Sequence, residues 1–232
     1  MIIADRLPIR AVLLDLDDTL NDRAQSWMTF LHRLIEHDQL GPCEVAAVHQ
    51  IILAADGGGY RAKHELMADL CDQLPWKAKP SPQNLEQLWR DQFPLCIVTR
   101  PSAIETLRLL RARGVRIGIV SNGMTRTQHA KIRTMGLEAM IDAIIISESA
   151  GVKKPNRRIF EIALEAVGAT PTETVFVGDH PELDIAGAAQ FGMRTIWMNT
   201  GRTWPAHLAR PNYTIASFCD FDAAIAACEG ME

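Results

Sequence analysis

Short apolar, β-branched runs alternate with amphipathic segments through the second half of the chain. The runs at residues 115–120, 142–147, 174–177 and 194–198 predict strands, and AVLL at 11–14 has the same character. Strands that alternate with helices of this length predict a parallel sheet covered by helices on both faces. The helices between the strands are expected to end in left-handed caps at Gly114, Gly136, Gly168 and Gly192.

Between the first strand and residue 96, the pattern changes to helices alone. Apolar residues recur at spacings of three and four over residues 22–38, 43–55, 60–73 and 83–93. Glycines at 57–59 and the proline-rich stretch at 75–82 interrupt these helices. The pattern predicts a small helical domain at residues 21–95, inserted into an α/β core made of residues 1–20 and 96–232.

The composition of the chain argues against several classes of function. The chain has 232 residues, 47% of them hydrophobic, and its 24 basic and 28 acidic residues give a net charge of −4. This balance is typical of a globular protein and gives no electrostatic surface for nucleic acid or an anionic membrane. The five cysteines are spread out without a CxxC pair, which argues against a disulfide framework or a zinc site. With no long apolar stretch and no signal-like N-terminus, a cytoplasmic location is expected.

Three acidic residues directly follow the first strand, in the segment Asp15-Leu16-Asp17-Asp18-Thr19. Ligands of open α/β sheets bind in the crevice beyond the carboxyl ends of the strands. Carboxylates crowded there repel one another unless a cation or a proton intervenes. The segment therefore indicates either a nucleophilic or metal-binding carboxylate pair, or a polar turn with an aspartate helix cap.

Two further polar segments follow later strands. Ser121 and Asn122 end one strand, where a hydroxyl and backbone amides hold a phosphate or simply cap the next helix. Lys153, Lys154 and Pro155 precede a helix, and the proline suits its first turn. A lysine placed against the positive end of a helix dipole indicates an anionic partner, although a solvated lysine pair is the alternative interpretation.

The fourth segment, Gly178-Asp179-His180-Pro181-Glu182-Leu183-Asp184, follows the strand at 174–177. Carboxylates at this strand end would complete a hard oxygen site of the kind that Mg2+ prefers, and a capped helix start is the alternative. All four segments lie at or near the same predicted edge of one parallel sheet. Their common location makes a single functional site the stronger interpretation.

The segments DLDDT, SN, KKP and GDxxxxD resemble, in this order, the four motifs of the haloacid dehalogenase superfamily. The helical insert resembles the type 1 cap of that superfamily, so the resemblance covers nearly the whole chain, with residues 21–95 as the cap. It implies a Rossmann-like three-layer core with a mainly parallel sheet, and hydrolase activity of the phosphatase branch.

The resemblance also implies roles for individual residues. Asp15 would be the nucleophile and Asp17 the general acid and base, while Ser121, Asn122 and Lys154 would bind the phosphoryl group. The implied cofactor is Mg2+, and its ligands would be Asp15, the backbone carbonyl of Asp17, Asp179 and, from further out or through water, Asp184.

The function expected from the resemblance is Mg2+-dependent hydrolysis of a small phosphorylated metabolite through an aspartyl phosphate. The dehalogenase branch has no aspartate at the position matching Asp17, so the presence of Asp17 in this chain favours phosphoryl transfer over halide release. A phosphomutase of the same superfamily, or a binding module without turnover, stays open as an alternative.

Arg61, Lys63 and His64 follow the triple-glycine turn and either meet the substrate or lie on a solvated helix face. Neither the physiological substrate nor the oligomeric state can be inferred.

Overall fold

The computed structural model describes residues 8–230. The chain divides into two compact units, one made of Met1–Asn21 and Thr99–Glu232 and the other of Asp22–Val98. The second unit therefore ends three residues later than the insert expected at 21–95. The sequence has no breaker at this point, because the apolar residues from Cys96 to Val98 run on towards the boundary.

Within residues 8–230, eight strands form two sheets. In chain order they are β1 (Ala11–Leu14), β2 (Asn21–Asp22), β3 (Val98–Thr99), β4 (Arg116–Ser121), β5 (Ala143–Ile146), β6 (Thr174–Gly178), β7 (Arg194–Met198) and β8 (Tyr213–Ile215). The main sheet has the order β5-β4-β1-β6-β7-β8, and all of its pairings are parallel. The other sheet pairs β2 with β3. The predicted parallel sheet is confirmed.

Helices connect the strands and also make up the second unit. They are α1 (Arg23–Glu36), α2 (Val45–Asp56), α3 (Lys63–Gln73), α4 (Pro82–Gln92), α5 (Ala103–Ala112), α6 (Thr125–Thr134), α7 (Ser147–Ala150), α8 (Arg157–Val167), α9 (Gly187–Gln190) and α10 (Phe221–Glu229). None of the helices within residues 8–230 has the length and apolar character needed to cross a membrane.

The central strands are buried along their full length, which places the core on both faces of the sheet. All residues of β1 and β6 are buried. One cluster joins Leu13 and Phe176 of these strands to Phe160 and Ala163 of α8, with the Phe160 and Phe176 rings packed edge to face at 5.4 Å. Strands buried on both faces need apolar residues at every position, which explains their continuous rather than alternating hydrophobic pattern.

The unit Asp22–Val98 is built around aromatic residues of α1 and the end of α4. Trp27, Phe30, Trp89 and Phe93 pack together, with the Trp27 and Phe93 ring centroids 4.6 Å apart. The Arg23 side chain lies over the Trp27 and Phe93 rings. These rings supply large buried surfaces in a unit that has little sheet of its own.

Two expectations about local structure need correction. Pro155 lies before α8 rather than in its first turn, because the Asn156 side chain caps that helix by accepting the backbone N–H of Arg158. The segment after β6 begins as a π-helical turn, Pro181–Ala186, instead of a regular helix. The sequence pattern also missed β8 and α10, since YTI is short and an alanine-rich helix shows little contrast between its faces. The four predicted glycine caps do have positive φ angles.

Candidate active site

The strand register brings three chain segments to one edge of the main sheet. β1 lies between β4 and β6, and Leu14 pairs with Ile119 on one side and Val177 on the other. The backbone N–H of Asp15 continues this pairing by donating to the Val177 carbonyl at 2.9 Å. The residues that end the three strands therefore lie side by side at the carboxyl edge, where α/β sheets bind ligands.

A buried lysine joins two of the acidic residues at this edge. Lys154 Nζ lies 2.6 Å from Asp15 Oδ1 and 2.7 Å from Asp184 Oδ1. All three side chains are at least nine-tenths buried. A buried ammonium is stabilised only when it is closely paired, so Lys154 and the two carboxylates hold one another in place.

Asp179 and Asp184 complete the acidic group after β6. Carboxylate oxygens of Asp15, Asp179 and Asp184 all lie within 4.8 Å of one another. Asp184 approaches the backbone so closely that a side chain at Gly178 would overlap it, which explains the glycine there. The N–H of His180 donates to Asp184 Oδ2 at 3.0 Å and fixes that carboxylate.

The acidic group fits a divalent cation. Both carboxylate oxygens of Asp179 are buried and accept no hydrogen bond from the described residues, and the Arg202 guanidinium lies 3.3 Å from Oδ2. Buried oxygens without hydrogen-bond donors are costly unless a ligand satisfies them. Three carboxylates offering oxygen atoms alone match the preference of Mg2+ for hard ligands.

The pKa shifts of these residues also fit a site for a divalent cation. Burial raises the pKa of Asp15 to about 7, with Asp184 adding to the increase and Lys154 opposing it. Burial, together with the charges of Asp184 and Asp15, also raises the pKa of Asp179. Burial by itself would lower the pKa of Lys154, but the two carboxylates outweigh it and raise that pKa. One ammonium thus neutralises this acidic group only in part, which leaves it attractive to a further cation.

Asp17 lies outside this group and has its own set of partners. Lys131 Nζ lies 2.7 Å from both carboxylate oxygens of Asp17. The side-chain amide of Gln128 donates to Oδ2 at 2.9 Å, and that of Asn21 donates to Oδ1 at 3.0 Å. Asp15 and Asp17 are therefore two residues apart in sequence but are held by different cations, Lys154 and Lys131.

Ser121 and Asn122, at the end of β4, hold different parts of the site. Gln128 Nε2 donates to Ser121 Oγ at 2.7 Å, so the serine hydroxyl keeps its own proton for donation elsewhere. Asn122 donates to the Lys154 carbonyl at 3.1 Å and accepts the Lys154 backbone N–H at 2.8 Å. The Asn122 side chain thus holds the segment that carries Lys154.

Sequence reasoning missed Lys131, Gln128 and Arg202. Gln128 and Lys131 lie one turn apart on α6, a helix with few apolar residues, where such side chains usually face solvent. Both are nevertheless buried. Arg202 comes from the loop after β7, and no local pattern relates it to Asp179. Trp197, in the strand β7 that precedes this loop, also contacts the site, because its indole N–H donates to the Asp179 carbonyl at 2.8 Å.

Within the unit Asp22–Val98, the three residues after the glycine turn differ in their surroundings. Arg61 binds Asp69 at 2.7 Å and donates to the Ala55 carbonyl, so its guanidinium is engaged inside the unit. Lys63 donates to the Gly59 carbonyl and lies over the Trp89 ring. His64 is exposed on the first turn of α3.

The sequence over residues 9–192 matches the family model for haloacid dehalogenase-like hydrolases. This match covers well over half of the chain, and it agrees with the parallel sheet and with the acidic and basic residues at its edge. The chain therefore belongs to the haloacid dehalogenase-like hydrolases, and the family predicted from the four motifs is confirmed.

Individual relatives carry phosphatase names. The chain is 30% identical to a glyceraldehyde 3-phosphate phosphatase from Pyrococcus abyssi (strain GE5 / Orsay) over 84% of this chain and 83% of that protein. It is 36% identical to the pyrimidine 5'-nucleotidase YjjG of Escherichia coli (strain K12) over 53% of this chain and 54% of that protein. Several curated relatives are matched over only about half their own length.

A solved structure shares the fold. The HAD-hydrolase YfnB from Bacillus subtilis, whose crystal structure is bound to magnesium, superposes with a TM-score of 0.74 at 22% identity. The superposition covers 94% of this chain and 99% of that one. At this identity, the likeness confirms the predicted Rossmann-like architecture.

Proposed function

We propose that this protein is a Mg2+-dependent phosphomonoester hydrolase that acts on a small phosphorylated metabolite through an aspartyl phosphate. The observation that carries the proposal is the arrangement at the sheet edge. Asp15 is bound to Lys154 at 2.6 Å, shares a buried acidic group with Asp179 and Asp184, and has a separately held carboxylate, Asp17, two residues away. Such a site combines an anionic nucleophile with cationic charge for a phosphate dianion.

Asp15 acts as the nucleophile. Its carboxylate oxygen attacks the phosphorus atom, a new P–O bond forms to Asp15, and the bond to the leaving oxygen breaks. Lys154 and the Ser121 hydroxyl bind equatorial phosphoryl oxygens, since each has a donor hydrogen beyond those directed at its described protein partners. Asn122 supports this contact by holding the Lys154 segment.

Asp17 moves the protons of both steps. In the first step it gives a proton to the leaving alcohol, and in the second it takes a proton from the water that hydrolyses the aspartyl phosphate. Inorganic phosphate then departs and Asp15 is regenerated. This second carboxylate is what distinguishes phosphate ester cleavage from halide release, because a halide leaves without protonation.

The residues that would hold the metal are Asp15, the backbone carbonyl of Asp17 and Asp179, with Asp184 acting from further out or through water. When bound there, Mg2+ supplies positive charge that offsets repulsion between the substrate dianion and the acidic residues. The buried oxygens of Asp179, which accept no hydrogen bond from the described residues, support this assignment.

We propose that residues Asp22–Val98 form the cap that selects the substrate. The four motifs lie outside this unit and recognise only the phosphoryl group, so the rest of the substrate needs another source of recognition. The names of the relatives suggest nucleoside 5'-monophosphates and triose phosphates as first substrates to test. The cytoplasmic location stays a prediction.

The test is phosphate release from a panel of phosphorylated metabolites by purified enzyme with Mg2+. The panel includes pyrimidine and purine nucleoside monophosphates, glyceraldehyde 3-phosphate and p-nitrophenyl phosphate. We expect release of inorganic phosphate, with a preference for some members. Isomerisation of a sugar phosphate without net release would indicate a mutase instead. Chloride release from 2-chloropropionate would indicate a dehalogenase, and complete inertness would favour a binding module.

A further inference from the structure

The contacts of Asp17 come from one face of α6. Gln128 and Lys131 are three residues apart on this helix, so their side chains project from the same face. Gln128 contacts both Asp17 and Ser121, while Lys131 contacts both oxygens of Asp17. The helix thus connects the residue proposed for proton transfer to a residue proposed to bind the phosphoryl group.

Lys131 has an unusual environment for a lysine. It is only 2% exposed, whereas lysine side chains are almost never fully buried unless they are paired. Its partner Asp17 keeps 27% of its side chain exposed, so Lys131 approaches from the protein interior and leaves part of the carboxylate accessible to a ligand. A salt bridge of this kind contributes little to stability compared with an apolar pair, which favours a role in the site over a role in packing.

We propose that Lys131 and Gln128 are positioning residues that hold the Asp17 carboxylate where it exchanges protons with the leaving group and the attacking water. The inference rests on the proposed phosphatase function. Two contacts from Lys131 and one from Gln128 restrict both the location and the rotation of the carboxylate. Proton transfer depends steeply on such geometry, and a shift of about 1 Å costs about 100-fold in rate.

The two residues differ in what they position. Lys131 contacts both carboxylate oxygens of Asp17, so its loss affects proton transfer to the leaving group. Gln128 also contacts Ser121, so its loss affects phosphate binding as well. Lys131→Met therefore lowers kcat selectively for poor leaving groups, and Gln128→Met in addition raises KM for every phosphate ester.

The experiment compares an alkyl phosphate with 2,4-dinitrophenyl phosphate, whose leaving group needs no proton. For Lys131→Met we expect kcat to fall about 100-fold with the alkyl phosphate and less than about threefold with the aryl phosphate. Lys131→Arg keeps a cationic donor and restores part of the alkyl phosphate activity. The matched control is Arg133→Met, which removes an exposed cation from the same helix and leaves both activities unchanged.

The same measurements show whether the positioning role exists. If Lys131→Met lowers both activities equally, or leaves both unchanged, the role is overturned while the phosphatase function stands. Combining Lys131→Met with Asp17→Asn should add no further loss, and additive losses would also overturn the role. If Lys131→Met does not fold, as judged by thermal unfolding, Lys131→Arg and Gln128→Met decide by the same comparison. If the wild type releases no phosphate from any ester, the proposed function and this inference fail together.

Discussion

Lys154 Nζ lies 2.6 Å from Asp15 Oδ1, a contact that joins the loop before α8 to the end of β1 across 139 positions of sequence. The same ammonium reaches Asp184 at 2.7 Å. One cation thus holds the proposed nucleophile and a proposed metal-site residue at fixed positions. Substitutions in this group of residues are therefore expected to change both the free energy of unfolding and the catalytic activity.

Replacing Lys154 should destabilise the metal-free protein more than the Mg2+-bound protein. Lys154→Met leaves Asp15 and Asp184 buried without their ammonium, at a cost of about 3–5 kcal/mol in chelator. Excess Mg2+ should recover part of that cost, whereas kcat stays at least about 100-fold reduced. Urea unfolding with and without chelator measures the difference. Lys153→Met, at the exposed neighbouring position, is the control, and equal stability of Lys154→Met and wild type in chelator would contradict the prediction.

Asp15→Asn should abolish turnover and leave the fold intact. The amide is nearly the same shape as the carboxylate but is a poor nucleophile, so the aspartyl phosphate cannot form. Because the substitution removes one buried acid from the acidic group, the free energy of unfolding in chelator should not fall. Phosphate release and thermal unfolding measure the two effects. Intact-protein mass spectrometry excludes deamidation, and substantial activity in the undeamidated variant would rule out covalent catalysis by Asp15.

Removal of divalent cations should silence the enzyme. Mg2+ or Mn2+ should restore activity, and Ca2+ should restore much less because its coordination is looser and longer. Mg2+ at about 100 times its Kd should also stabilise the fold by about 2.7 kcal/mol. Asp179→Asn should lose most of this stabilisation. Full activity in thoroughly chelated enzyme would contradict the metal assignment independently of any substrate preference.

The unit Asp22–Val98 should depend on a buried ion pair. Arg23 donates to both oxygens of Asp56 at 2.6 Å, and both side chains are buried. Burial alone would raise the pKa of Asp56, but the hydrogen bonds and charge of Arg23 outweigh it and lower that pKa. Arg23→Met should therefore destabilise the protein by about 3–5 kcal/mol, and adding Asp56→Leu should recover much of the loss.

This ion pair also predicts a direction of pH dependence. A carboxylate with a lowered pKa in the folded state stabilises the fold above its ordinary pKa of 3.8 and loses that contribution as the pH falls through the folded value. The stability difference between wild type and Asp56→Asn should thus shrink below about pH 4. Chemical unfolding at stepwise lower pH measures this difference. If the stability difference between wild type and Asp56→Asn grows as the pH falls, the prediction is contradicted.

Substrate preference should respond to the exposed residue after the glycine turn. Arg61 and Lys63 already bind groups within their own unit, so His64 is the residue best able to meet a ligand. His64→Ala should change kcat/KM ratios between metabolites by about 1–3 kcal/mol, with little effect on acetyl phosphate. The same substrate ranking in His64→Ala, Arg61→Ala and Lys63→Ala would exclude this turn as the source of specificity.

Local sequence patterns were enough to predict the parallel sheet, the helical insert and the family. Periodicity marks buried strands and amphipathic helices because each element needs one continuous apolar surface. Asp15, Asp17 and Asp179 could be selected because each directly follows or lies close to a recognisable strand end. Lys154 could be selected because it stands before a proline at a predicted helix start. Such patterns involve only a few neighbouring residues, so they can be recognised without knowing which parts of the chain pack together.

The contacts between side chains of the site became clear from the folded structure. It paired Lys154 with Asp15 and Asp184, turned Asn122 to the Lys154 backbone, and brought Lys131 and Gln128 to Asp17. The final location of Lys131 could not be inferred from its helix, because a lysine on a polar helix usually faces solvent. Its burial depends on the order of the strands and on the register that sets α6 beside the end of β1. Such contacts join residues that are far apart in the chain, so they cannot be predicted from local sequence patterns.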